Sequence, residues 1–98
     1  MGKEYIAAVK EEHYETFKMV VTTPLPCEYG MWLRVRERGK LRAFRDHGTI
    51  VTEVEISPIE FGNYCKGLKK PDFSIGSLDR CAGAKAGAAG VAEFRKAG

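Results

Sequence analysis

The chain has 98 residues, of which 44% are hydrophobic and 30% charged, and this length and composition suit a single small globular domain. The composition is too apolar for a chain that is disordered throughout, and no apolar run is long enough for a membrane span or a secretory signal. The sequence therefore predicts one cytoplasmic domain over residues 1–90 and an Ala/Gly-rich tail over 91–98 that frays.

The net charge of +3 is concentrated in one segment, residues 31–46. This segment has six basic and two acidic residues, whereas the rest of the chain has ten basic and eleven acidic residues. Such a concentration of positive charge is typical of a surface that attracts an acidic or anionic partner.

The first predicted element is an amphipathic helix over residues 3–21. Its apolar side is formed by positions that recur at spacings of three and four, within about an 80° arc of a helix. These positions are Ile6, Val9, His13, Phe17 and Val20. Pro24 and Pro26 then end the helical segment, because proline cannot continue the hydrogen-bond ladder.

Residues 27–46 are predicted to form a second helix, with Gly48 as its left-handed cap. A competing interpretation is an antiparallel meander over residues 31–56, in which Arg38-Gly39-Lys40 forms a hairpin turn. The helix fits the apolar positions better, since a mid-helix glycine costs only about 1 kcal/mol. Both interpretations stay open at this point.

The clearest strand covers residues 49–56, where four β-branched residues alternate with polar ones. The sequence Ser57-Pro58-Ile59-Glu60 follows and predicts a capping box, which starts a third helix that ends near Lys66. A fourth helix is expected to begin near Ser74 or Ser77 and to run to about residue 88.

A strand needs a hydrogen-bonding partner, and the sequence allows two kinds. Either residues 4–9 or residues 18–22 extend and pair with it inside the chain, or two copies of the strand pair antiparallel across the two-fold axis of a homodimer. The predicted fold class is α+β and mainly α, with about four helices and one clear strand at 49–56.

Several short motifs together resemble the small uncharacterised proteins encoded by integron gene cassettes and other mobile bacterial DNA. The motifs are Glu12-His13-Tyr14, Leu25-Pro26, Trp32-Leu33, His47-Gly48, Ser57-Pro58-Ile59-Glu60-Phe61 and Tyr64-Cys65. The resemblance covers about residues 5–85, and Gly30 and the Ala/Gly tail depart from it. It implies a soluble bacterial protein and no particular activity.

The sequence favours a non-enzymatic protein without a metal site or cofactor. Its two histidines, His13 and His47, are far apart in the predicted elements, and no GxSxG, HExxH, P-loop or GxGxxG pattern occurs. Cys27, Cys65 and Cys81 are widely spaced and form no CxxC, so neither a disulfide framework nor a zinc site is predicted. Cys65 and Cys81 are expected to be small buried residues.

Three functional hypotheses remain. The first is a homodimeric binding or adaptor protein that holds an acidic protein partner on one arginine-rich helix side. That side, here called the arginine stripe, consists of Arg34, Arg38, Arg42 and Arg45. The second hypothesis is that the same stripe binds nucleic-acid phosphates. The third is a small-metabolite pocket. The aromatic residues assigned to this pocket are Trp32, Phe44, Phe61 and Tyr64.

Overall fold

The predicted α+β class is confirmed by a computed structural model that describes the backbone of residues 2–97 and the side chains of residues 2–87. Within these residues the chain forms four helices and a two-stranded parallel sheet. In chain order the elements are β1 (Lys3–Ala8), α1 (Glu11–Val20), α2 (Tyr29–His47), β2 (Ile50–Glu55), α3 (Pro58–Lys66) and α4 (Ile75–Ala97).

The prediction of a helix from residue 3 onwards is wrong for residues 3–8, which form β1. β1 pairs with β2 in parallel, in a register that runs from Lys3 opposite Ile50 to Ala8 opposite Glu55. The internal pairing of residues 4–9 with the second strand is therefore confirmed, and helix α1 starts only at Glu11.

Helix α4 packs against β1. Among the described residues, no further strand pairs with the edge of β1 that faces away from β2. The backbone N–H of Ala7 donates to Asp79 Oδ1 of α4 over 3.0 Å. A side-chain carboxylate thus satisfies a donor that points away from β2.

The predicted second helix is confirmed as α2, and the alternative meander over residues 31–56 is wrong. Gly48 has φ 65° and ψ 18°, the left-handed conformation expected of its cap, and its N–H donates to Phe44 O over 2.9 Å. A helix at this place buries Trp32 to 2% exposure, which outweighs the small cost of Gly39 inside it.

The predicted capping box at the start of α3 is also confirmed. Glu60 N donates to Ser57 Oγ over 3.2 Å, and Ser57 N donates to Glu60 Oε1 over 3.0 Å. Lys85 of α4 reaches Glu60 Oε2 at 2.7 Å. The hydrogen bond from Lys85 and the one from Ser57 N hold the pKa of the Glu60 carboxyl below its usual value.

The core lies between the sheet and the helices and contains two groups of packed aromatic residues beside its aliphatic ones. Tyr14 packs against Tyr29 and Trp32 at ring-centroid distances of 5.3 and 5.9 Å. Phe61 packs against Phe17 and Phe73 at 6.0 and 5.9 Å. The core also contains Cys65 and Cys81, whose predicted burial is confirmed.

Helix α4 continues to Ala97, past the end predicted near residue 88. The domain boundary at residue 90 and the fraying of the tail over 91–98 stay a prediction, because the burial of this part of the chain lies outside the described residues. Within the described residues, no helix is both long enough and apolar enough to cross a membrane.

Candidate functional site

Helix α2 is the element on which the candidate sites lie, because its two sides meet different surroundings. Trp32 is its one buried residue, although the helix has 19 residues. At 100° per residue, Arg36 and Ala43 lie on the same side as Trp32. The opposite side therefore faces solvent along the whole length of the helix.

The arginine stripe lies on this solvent side. Arg34, Arg38 and Arg42 are exposed, and none of them forms an ion pair with a described side chain. Arg45 is exposed as well, and its Nε lies 3.2 Å from Asp46 Oδ1. A pair this exposed contributes little stability, so the stripe keeps three unpaired guanidinium groups and a fourth that is weakly paired.

Large apolar side chains accompany the stripe on the exposed surface of α2. Leu41 is 62% exposed and Phe44 is 61% exposed, and Met31, Leu33 and Val35 are each close to half exposed. An exposed phenylalanine and leucine beside free arginines is the combination found at protein interfaces, where aromatic and arginine residues are enriched.

The inner side of α2 forms one wall of a groove of about 500 Å³, here called the α2 groove. The other walls come from the sheet, the proline-containing loop before α2 and the start of α4. Its lining residues are Glu4, Ile6, Pro24, Leu25, Pro26, Trp32, Val35, Arg36, Gly39, Lys40, Val51 and Ile75. Most of them are apolar, and the volume lies in the range of small-molecule sites.

Arg36 is the charged group held most firmly in the α2 groove. Its guanidinium carbon lies 4.3 Å from the centroid of the Trp32 ring, and its Nη1 donates to Asp79 Oδ2 over 2.9 Å. The side chain is only 12% exposed. Its Nε and Nη2 are buried and have no acceptor among the described residues. One edge of a fixed guanidinium is therefore without partners.

Lys40 also lines the groove, and its ammonium group is already paired with two carboxylates. Its Nζ lies 3.0 Å from Glu37 Oε2 and 3.6 Å from Glu53 Oε1. The hydrogen bond from Lys40 to Glu37, followed by the nearby charge of Glu53, raises the pKa of Lys40 above its usual value. Lys40 thus joins α2 to β2 and keeps its charge.

The structure separates the four aromatic residues that the sequence assigned to one pocket. Trp32 lines the α2 groove, whereas Phe61 is fully buried in the core and Phe44 is exposed on α2. Tyr64 packs against the core and lines a second depression beside β1, together with Tyr5. The four residues therefore do not share one pocket, and among them Trp32 alone lines the α2 groove.

Sequence reasoning missed Asp79, Gly39 and the separate role of Arg36. A signal for Arg36 was present, since it follows Trp32 by four residues and so lies on the inner side of a helix. No local signal pointed to Asp79, which meets Arg36 across 43 positions of the chain.

Among the described residues, no group of three or more histidine, cysteine, aspartate or glutamate side chains is arranged to hold a metal ion. No family model matches the chain, and no curated protein or solved structure is significantly similar to it.

Proposed function

We propose that this protein is a small non-enzymatic binding protein that holds an acidic protein partner on the solvent side of α2. The observation that supports it most is the group of three exposed guanidinium groups, Arg34, Arg38 and Arg42, which have no ion-pair partner among the described residues. Positive charge that the fold itself does not use is available for an external carboxylate.

The exposed apolar residues favour a protein partner over a nucleic acid. Leu41 and Phe44 are more than half exposed on the same helix as the arginine stripe. Contacts to a phosphate backbone need positive charge and hydrogen-bond donors, and apolar side chains add nothing to them. A protein partner can bury Phe44 and Leu41 and pair its acidic groups with the arginines.

Reversing the charge of the stripe should abolish binding without unfolding the protein. In the triple variant Arg34→Glu, Arg38→Glu, Arg42→Glu we expect the affinity for the partner to fall by at least about 100-fold, since interface arginines are frequent hot spots. The partner is first captured from a bacterial lysate treated with nuclease and identified by mass spectrometry. It is then purified and titrated against the wild type and the variant by calorimetry.

A matched control is the triple variant Lys66→Glu, Lys69→Glu, Lys70→Glu, which changes the net charge by the same amount at exposed positions away from α2. We expect it to bind like the wild type. Equal affinity of the wild type and the stripe variant contradicts the proposal. Stripe-dependent binding to a short duplex DNA, with an affinity that falls steeply above about 50 mM salt, instead supports the nucleic-acid alternative.

We further propose that the protein is a homodimer, joined through the outer edge of β2. Because Ile50 N and Ile56 N donate towards β1, strand alternation turns the backbone of Val51 and Glu53 outwards. A Glu53→Pro variant removes an outward N–H and should convert the dimer to a monomer. It also removes the ion pair between Glu53 and Lys40, so Glu53→Ala is the matched control and should stay dimeric. Light scattering after size-exclusion chromatography measures this, and a wild type that is monomeric at tens of micromolar contradicts the dimer.

A further inference from the structure

We infer that the α2 groove is a binding site for a small organic monocarboxylate with an apolar body, whose carboxylate is held by Arg36. This site lies on the inner side of α2, whereas the arginine stripe occupies the opposite side. The inference therefore does not depend on the proposed protein partner, and the two are tested with different variants.

The walls of the groove provide an apolar surface that the chain itself leaves incompletely covered. Val35 is 48% exposed, and Leu25, Val51 and Ile75 are partly exposed. They surround about 500 Å³, a volume suited to a ligand of small-metabolite size. Covering these side chains with an apolar ligand body removes their surface from water and favours binding.

Arg36 provides the donors for the charged end of the ligand. Asp79 uses only Nη1, which leaves Nε and Nη2 buried without an acceptor among the described residues. These two N–H groups lie on one edge of the guanidinium plane, where they fit the two oxygens of a single carboxylate. Both nitrogen atoms are buried in the free protein. A carboxylate therefore reaches them only when the Arg36 side chain rotates and turns this edge towards the groove.

Gly39 leaves space along the α2 wall of the groove. An added Cβ at this position would meet no atom within 4 Å. Gly39 lines the groove, on the same side of α2 as Val35 and Arg36. The missing side chain leaves room for a molecule that lies against the helix.

The charges around the groove favour a single carboxylate over a doubly charged anion. Lys40 is already paired with Glu37 and Glu53, so Arg36 is the donor that remains. Glu4 adds a carboxylate to the same lining. It disfavours a phosphate, which carries more negative charge than a monocarboxylate.

The test uses octanoate and 3-phenylpropanoate as probes, because they carry one carboxylate on a straight and on an aromatic body. Trp32 is the only tryptophan of the chain and lines the groove, so its fluorescence reports binding directly. We expect a saturable change in this fluorescence with at least one probe. The matched alcohols, 1-octanol and 3-phenylpropanol, should bind at least 10-fold more weakly.

Variants at two glycines of α2 separate binding from folding. Gly39→Leu places a side chain in the groove, and we expect it to weaken probe binding at least 10-fold. Its urea midpoint should not fall, since leucine favours a helix more than glycine does. Gly30→Leu is the matched control: this glycine also has no atom near its added Cβ but does not line the groove, so probe binding should stay unchanged.

Arg36→Met tests the anion specificity, and we expect it to bind the carboxylate and the matched alcohol with similar affinity. Three results would each overturn the inference. These are no saturable binding of either carboxylate by the folded wild type, equal affinity of the wild type for acid and alcohol, and undiminished binding by Gly39→Leu.

Discussion

Asp79→Ala is expected to lower the free energy of unfolding by about 3 kcal/mol, because it leaves a mostly buried guanidinium without its counter-ion. Asp79 accepts from Arg36 Nη1 over 2.9 Å and from the backbone N–H of Ala7 over 3.0 Å. One carboxylate therefore joins α4 to both α2 and β1. Loss of this carboxylate leaves both donors unsatisfied. The free energy of unfolding of the wild type and the variant is measured by urea unfolding followed by circular dichroism.

The reason for this loss can be tested with a double-mutant cycle. In an Arg36→Met background Asp79→Ala leaves no guanidinium unpaired, so it should cost clearly less there, with a coupling energy of about 1–3 kcal/mol. Asp79→Asn should be intermediate, because the amide oxygen still accepts one hydrogen bond. Equal costs of Asp79→Ala in both backgrounds would show that the pair does not hold the elements together.

The elements that could be predicted from the sequence are those whose signals are local. The capping box of Ser57 and Glu60 needs only four consecutive residues, and the left-handed cap at Gly48 needs only the end of one helix. The strand β1 could not be assigned in this way. Its residues also fit a helical spacing, and what decides between the two is β2, more than 40 positions away.

The same distinction applies to the candidate sites. The arginine stripe follows from the spacing of its residues once α2 is known to be a helix. The α2 groove combines side chains from the sheet, the proline-containing loop, α2 and α4, so no sequence window contains it. In the sequence Arg36 differs from Arg34 and Arg38 by its spacing of four from Trp32, and the burial of Trp32 shows that this side of α2 points inwards.

Trp32→Ala is expected to cost about 3–5 kcal/mol, the range for removing a large buried aromatic side chain. The residue is 2% exposed, packs against Tyr14 at 5.9 Å and supports the guanidinium of Arg36 at 4.3 Å. Domains of this size are stable by only about 5–15 kcal/mol, so the loss amounts to a large fraction of the total.

Within α2, a loss of stability this large should be limited to substitutions of Trp32, because no other residue of the helix is buried. Leu41→Ala on the same helix removes a side chain that is 62% exposed, and it should change the free energy of unfolding by no more than about 0.5 kcal/mol. Trp32→Phe should lie between the two, since it keeps part of the aromatic contact. Urea unfolding followed by far-ultraviolet circular dichroism compares all three variants without using the tryptophan signal. If Trp32→Ala cost no more than Leu41→Ala, the inner side of α2 would not be packed against the core. This result would also contradict the α2 groove, because Arg36 and Gly39 line it from the same side of α2.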